Sequence, residues 1–216
     1  MNHFVLEVSG ALALFTRPEF KVERLSYEVI TPSAARAIFE AIYWRPQMRW
    51  QIKEIAVLNP ISFTHFKRCE TAAEAHIAKT EIFADRTRQI RSSVVLRDVK
   101  YRITAEIKLN GEWLMMNGEL RDKELARHCA AFRRRAMKGQ CFTQPYLGCR
   151  EFACDWRLLS DEWLMRSEEL EPPISETRDL GRMLYDMDFT DPKHPKPIFF
   201  DAKMIDGVLR MMNDEW

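Results

Sequence analysis

Residues 99–111, VKYRITAEIKLNG, alternate without a slip: Val99, Tyr101, Ile103, Ala105, Ile107 and Leu109 are apolar, and Lys100, Arg102, Thr104, Glu106 and Lys108 are polar. A period of two belongs to a strand with one buried and one open face, and Asn110-Gly111 closes it with a turn signal. Upstream, residues 49–60, RWQIKEIAVLNP, read as another strand whose apolar phase slips between Ile52 and Ile55, which predicts a bulge. Before it, residues 30–46, ITPSAARAIFEAIYWRP, carry both ends of a helix. Thr31 can accept a bond from an orphan amide, Pro32 sits where its missing N–H costs nothing, Ile38 and Ile42 share a face, and Pro46 ends the run. Tyr43 and Trp44 then lie at the helix C-terminus. Nearer the start, Phe4, Leu6 and Val8 alternate with Val5, Glu7 and Ser9 as a first strand.

Downstream, residues 121–138 predict a second helix stopped by Gly139. At about 100° per residue, Leu125, Cys129, Phe132 and Ala136 form its core side. Lys123, Arg127, Arg134 and Lys138 line the opposite side, and His128 and Arg135 share the shoulder between them. Phe152, Cys154, Trp156 and Leu158 then alternate with Ala153, Asp155 and Arg157 as a fourth strand. Strand, helix, strand, strand, helix, strand is the βαββαβ order of the ferredoxin-like, RRM-like α+β fold. Residues 1–158 are therefore read as one such domain with an insertion at about 60–95, which includes a helix-like run at 71–84. Residues 159–216, with Pro172-Pro173 and the proline-rich TDPKHPKPIFF, are read as a small β-rich C-terminal region. The fold hosts many unrelated activities and decides little about function.

A chain of 216 residues, 46% hydrophobic and 30% charged, has the composition of an ordinary globular protein rather than a disordered or membrane one. Its formal net charge of +1 hides a split: residues 1–120 sum to +3, 121–157 to +5 and 158–216 to −7. The basic middle is what a polyanion would feel. Five cysteines with no Cys-x-x-Cys pair argue against a disulfide framework and against a closed zinc site, so reduced thiols and a cytoplasmic location are expected. The apolar start lacks a basic leader and carries Glu7, and no stretch is long and uncharged enough to cross a bilayer.

The basic centre is sharpest at residues 127–142, RHCAAFRRRAMKGQCF, where five cations surround one histidine. A solvated helix face is the plain alternative, but acidic partners are scarce on the stripe, three arginines are consecutive, and Arg150 and Arg157 follow. Tyr43 and Trp44 beside Arg45 and Arg49 mix stacking surface with cations, a pairing that RNA exploits. The sequence has no P-loop, no dinucleotide glycine fingerprint, no Gly-x-Ser-x-Gly and no His-Glu-x-x-His. An enzyme built on these residues is expected to work without a metal or cofactor.

Three stretches, ALFTRPEFKVERLSYEVITPSAARAIFEAIYWRP (13–46), VLNPI (57–61) and FRRRAMKGQCFTQPYLGCREF (132–152), resemble the fifth Cas family of CRISPR-associated proteins, in its Dvulg subtype from type I-C systems. The resemblance runs from about residue 9 to 157. It implies a ferredoxin-like N-terminal domain, a small β-rich C-terminal region, and an endoribonuclease that cuts CRISPR precursor RNA at the base of the repeat hairpin. It also implies that the protein stays on the 5′ handle of the mature guide RNA, beside the backbone and large subunits of the surveillance complex. Cleavage in such proteins needs no metal and uses the RNA's own 2′-hydroxyl, leaving a 2′,3′-cyclic phosphate and a 5′-hydroxyl. That chemistry needs a group to take the 2′-hydroxyl proton, one to protonate the leaving oxygen, and positive charge on the phosphorane.

The family's tyrosine at the end of the first helix falls on Tyr43, and the histidine of its Lys-His pair on His128. The lysine position holds Arg127, which can stabilise charge but is poorly suited to shuttling protons; Lys123, one turn earlier, is its substitute. His128 is expected as general base or acid, with Tyr43 positioning the 2′-hydroxyl or helping transfer its proton. Arg133, Arg134, Arg135 and Lys138, with Arg45 and Arg36 near the first helix, are the expected RNA-binding residues. The alternative is a subunit that grips finished guide RNA and cuts nothing. A third reading, an unrelated basic module acting on DNA, would show equal affinity for duplex DNA and repeat hairpin.

Overall fold

The computed structural model describes residues 2–20, 22–71, 85, 88–115, 117–160 and 170–211. In chain order the elements are β1 (His3–Ala13), β2 (Arg24–Leu25), α1 (Pro32–Ile42), β3 (Met48–Val57), β4 (Phe63–Thr71), β5 (Arg88–Leu109), a 3-10 turn (Gly111–Met115), α2 (Gly118–Met137), β6 (Asp155–Leu159), β7 (Arg178–Asp188), β8 (Lys196–Ile205) and β9 (Val208–Arg210). The fold is mixed α/β: a mostly antiparallel sheet ordered β6-β1-β5-β3-β9-β8-β7, carrying two helices, with β2 and β4 also paired to β5. Residues 99–109 lie in the middle of this sheet, flanked by β1 on one side and β3 on the other.

Their alternation is realised in burial. Tyr101, Ile103, Ala105, Ile107 and Leu109 face the core with Phe4, Leu6 and Val8 of β1. The phase slip in β3 is a register shift between Ile52 and Glu54, as the pattern predicts. The strand is longer than its pattern: β5 runs back through Asp98, which adopts φ 50°, to Arg88, and this first part pairs with β4. Of the expected insertion, the parts at 63–71 and 88–95 are therefore an antiparallel pair on the same sheet; the helix-like run at 71–84 lies, beyond Thr71, outside the described residues. In the C-terminal region, β7 and β8 form a long hairpin, and β9 pairs with β3 to join them to the central sheet. Among the described residues no helix is long and apolar enough to cross a membrane.

Both helices cover one sheet face. Thr31 Oγ1 accepts the Ala34 N–H at 3.3 Å to cap α1, and Pro32 opens it. The helix stops three residues short of Pro46, because Tyr43 leaves helical geometry (φ −156°, ψ 123°). The Tyr43 carbonyl is taken by the Trp50 indole N–H at 2.8 Å. Asn117 caps α2 through the Leu120 N–H. At the other end Gly139 takes φ +64°, which lets Gln140 N–H reach the Arg135 carbonyl and Gly139 N–H the Ala136 carbonyl, a Schellman turn. Between helices and sheet, Phe132 packs at 4.7 Å from Phe4, 4.6 Å from Trp50 and 5.8 Å from Phe39, ring centre to ring centre.

The orientation of α2 departs from the sequence reading. His128, Phe132 and Ala136 are its buried residues, while Leu125 and Cys129, expected inside, are half-buried. The helix is rolled toward α1, with the Arg135 guanidinium donating from Nε to the Ile42 carbonyl at 2.8 Å. A histidine expected on the shoulder thereby enters the interior at 4% exposure.

Candidate active site

Two chain segments 85 residues apart meet where α1 ends against the middle of α2: Tyr43 Oη lies 2.9 Å from His128 Nδ1, with ring centres 5.9 Å apart. Each side chain is placed by the local structure just described. The break in α1 turns Tyr43 out of the helical spiral, and the Trp50–Tyr43 bond fixes its backbone. His128 stands one turn before Phe132, whose ring is locked in the aromatic cluster.

The other imidazole nitrogen, Nε2, is sealed from solvent and faces Glu124 Oε1 at 3.5 Å, one helical turn earlier. An N–H on Nε2 meets a negative charge there, whereas a lone pair would be repelled. The favoured tautomer therefore carries its proton on Nε2 and leaves Nδ1 free to accept the Tyr43 O–H. Carboxylate, imidazole and hydroxyl thus stand in line, the order that lets a hydroxyl become a base or nucleophile. Burial holds His128 below its usual pKa of 6.5; Glu124 pulls it upward, and Arg127 and Arg45 push it further down. The imidazole is neutral at pH 7 and able to take a proton.

Arg127 is largely in water and donates from Nη1 to Glu124 Oε2 at 2.7 Å, so it joins the group through the carboxylate. The Arg45 guanidinium carbon stands 5.9 Å from the Tyr43 ring centre. Tyr43, Arg45 and Arg135 line a cleft of about 560 Å³ together with Trp44, Phe142 and Tyr146. Its far wall is the 139–148 loop, which returns to β1 through the Leu14 N–H to Leu147 carbonyl bond. Gly148 makes that return possible: at φ +84° a Cβ would stand 2.0 Å from the Leu14 carbonyl oxygen.

The remaining sequence candidates separate in space. Arg133, Arg134 and Lys138 line a second, larger groove of about 940 Å³ on the outer side of α2. That groove contains neither Tyr43 nor His128; Tyr43 lines the smaller cleft, and His128 lies buried behind it. Arg36 is engaged by both Asp186 oxygens and, at 3.3 Å, by Glu40, which braces α1 on the β7 hairpin. Glu124 and the loop aromatics Phe142 and Tyr146 were not singled out by sequence reasoning. Glu124 had a signal, an acid four residues before a histidine on a helix, in ELARH (124–128). Among the described residues no group of three or more His, Cys, Asp or Glu side chains is arranged to hold a metal ion.

With this geometry established, comparison with known proteins is informative. Residues 4–212 match the family described as CRISPR-associated protein (Cas_Cas5), in its Cas5d form. A CRISPR pre-crRNA endoribonuclease Cas5d from Mannheimia succiniciproducens is 40% identical, the match covering 96% of this chain and 94% of the relative. A protein of the same description from Thermus thermophilus is 33% identical over 100% of this chain and 94% of its own. A solved structure described as a CRISPR-associated protein superposes with a TM-score of 0.68 at 25% identity, covering 98% of this chain and 92% of that one.

Proposed function

The chain belongs to the Cas5d family of CRISPR-associated proteins, and from that premise we propose that it is a metal-independent endoribonuclease that cuts CRISPR precursor RNA at the base of the repeat hairpin. The observation that carries this reading is the 2.9 Å contact between Tyr43 Oη and His128 Nδ1, backed by Glu124. Because His128 is buried, it acts through Tyr43 rather than on the RNA directly. Tyr43 takes the proton of the 2′-hydroxyl as it passes its own to His128 Nδ1, and Glu124 holds the resulting imidazolium. The 2′-oxygen bonds to phosphorus, the bond to the 5′-oxygen breaks, and water supplies the proton the leaving oxygen needs. The products are a 2′,3′-cyclic phosphate and a 5′-hydroxyl, and the imidazolium then releases its proton to solvent. Arg45 and Arg127 supply positive charge to the phosphorane, Arg127 in place of the family's lysine.

Arg133, Arg134, Arg135 and Lys138 bind the hairpin backbone, so affinity falls steeply with salt. Arg36 is the weakest of the six RNA-binding assignments, its guanidinium being shared by Asp186 and Glu40. After cleavage the protein stays on the 5′ handle as a subunit of the type I-C surveillance complex, beside the backbone and large subunits. We read β6-β1-β5-β3 with the two helices as the ferredoxin-like core, spanning residues 1–158, and β7–β9 as the C-terminal region, 159–216. The test incubates wild-type protein and His128→Ala with the cognate repeat RNA in EDTA, beside RNA carrying a 2′-deoxy nucleotide before the cut. One cut by wild type, lost in the variant and on the deoxy RNA, supports the reading. Tight binding with the RNA left whole would make the protein a gripping subunit only, the alternative that arginine at 127 keeps open.

A further inference from the structure

Three large rings face water at the mouth of the Tyr43 cleft: Phe142 is 87% exposed, Trp44 51% and Tyr146 38%. All three line the same concavity as Tyr43, Arg45 and Arg135. Single apolar side chains on a surface need no explanation, but three aromatics converging on one cleft of ligand-binding size do. Their exposure is enforced by the backbone. The Schellman turn at Gly139 directs the chain back across the end of α1, where Phe142 N–H donates to the Ala41 carbonyl at 2.6 Å. Cys154 N–H then holds the Pro145 carbonyl at 3.0 Å, and the Gln144 side-chain amide holds the Cys154 carbonyl at 3.2 Å. The Phe142 ring is thus presented outward from a loop tied down on both sides.

The chemistry of the cleft narrows its occupant. Arg45 and Arg135 bring positive charge, and the carboxylate of Glu40, also in the lining, is paired with Arg36. A concave, cationic, aromatic surface suits a planar, electron-rich ring joined to a phosphate better than it suits a protein partner, whose docking surface would be broader and flatter. We infer that this cleft stacks one unpaired nucleobase adjoining the scissile phosphate, with Phe142 and Trp44 offering ring faces, Tyr146 closing the side, and Arg45 and Arg135 neutralising the backbone. The inference rests on the RNA-cleaving reading above and adds to it a subsite that grips a base. Splaying that base into the cleft turns its nucleotide away from the stack and brings the neighbouring 2′-hydroxyl toward Tyr43.

The experiment uses repeat RNA made uncleavable by a 2′-deoxy substitution at the cut, with the fluorescent base 2-aminopurine placed in turn at each unpaired nucleotide flanking it. Wild type should change the fluorescence strongly at one position. Phe142→Ala should abolish that change and weaken binding roughly 5- to 150-fold, the worth of one stacked base, while leaving the slope of log affinity against log salt unaltered. Phe142→Trp should keep both the signal and the affinity. A thermal melt checks that each variant is folded. If wild type binds the RNA tightly but no position responds, or Phe142→Ala binds as wild type does, the subsite is refuted and the RNA reading stands. A Phe142→Ala protein that loses only its association with partner subunits refutes the subsite as well. If wild type binds no repeat RNA at all, the functional reading itself fails.

Discussion

Replacing Glu124 by glutamine changes one charge and little else: the amide is nearly isosteric and stays on the same turn of α2 beside His128 Nε2. Two unit charges about 4 Å apart in a partly screened protein setting interact by roughly 4 kcal/mol, and Glu124 stands 3.5 Å from His128. Arg127 draws on the same carboxylate at 2.7 Å, so about half of that interaction, ~2 kcal/mol, is assigned to the imidazolium formed during reaction. Losing it should lower kcat by about 30-fold, with KM nearly unchanged because Glu124 is not in the lining of the Tyr43 cleft. The pH profile gives a second, independent readout. The rate needs neutral imidazole, so it rises with pH through the His128 pKa, which burial already holds below 6.5. Glu124 raises that pKa, and removing it moves the acid limb to lower pH. The assay is single-turnover cleavage of saturating repeat RNA between about pH 4.5 and 8. A kcat within about threefold of wild type, or an acid limb displaced upward, would refute the relay.

The aromatic cluster and the open sheet face make two further predictions. Phe132 is fully buried against Phe4, Phe39 and Trp50, and Phe132→Ala should cost about 3–5 kcal/mol in denaturant unfolding. A loss under about 1 kcal/mol would mean the cluster repacks around the gap. Glu7 is buried on β1; burial pushes its pKa up, but Arg102 and Arg157 outweigh that and hold it below 4.5. Its contribution is present above the unfolded value and lost as pH falls through the folded one, so Glu7→Gln should be less stable at pH 7 and converge on wild type with acidification. Unfolding midpoints measured from neutral to strongly acidic pH test this, and a gap that stays constant would refute it.

What the sequence made legible follows from which forces are local. The C-terminal half of β5 could be read because its residues alternate against a single buried face, and the β3 bulge because an extra residue must shift that alternation. The first half of β5 carries Arg88, Gln89, Arg91, Ser92 and Ser93 and pairs with a strand half open to water, so no clean period marks it. Nor could three residues, Val208–Arg210, announce a pairing with β3. Tyr43 and Arg127 were singled out through motif and family pattern. His128 was found with them, but its burial was not foreseen: a helical wheel assigns the inside to apolar side chains, and a polar one goes inside only where a partner satisfies it. That partner sits 85 residues away. Phe142 and Tyr146 stand in a loop, where no periodicity ranks one exposed ring above another.

The cross-brace from Arg135 to the Ile42 carbonyl and the Tyr43–His128 contact it supports have a consequence for how the protein is born. On a translating ribosome, Tyr43 emerges 85 residues before His128, a lag of roughly 4 to 17 s at ordinary elongation rates. Throughout that interval the growing polypeptide has the Tyr43 hydroxyl without the imidazole that it contacts in the folded protein. On the proposed reading, the Tyr43–His128 relay therefore forms only after synthesis has passed α2 and the two helices have docked.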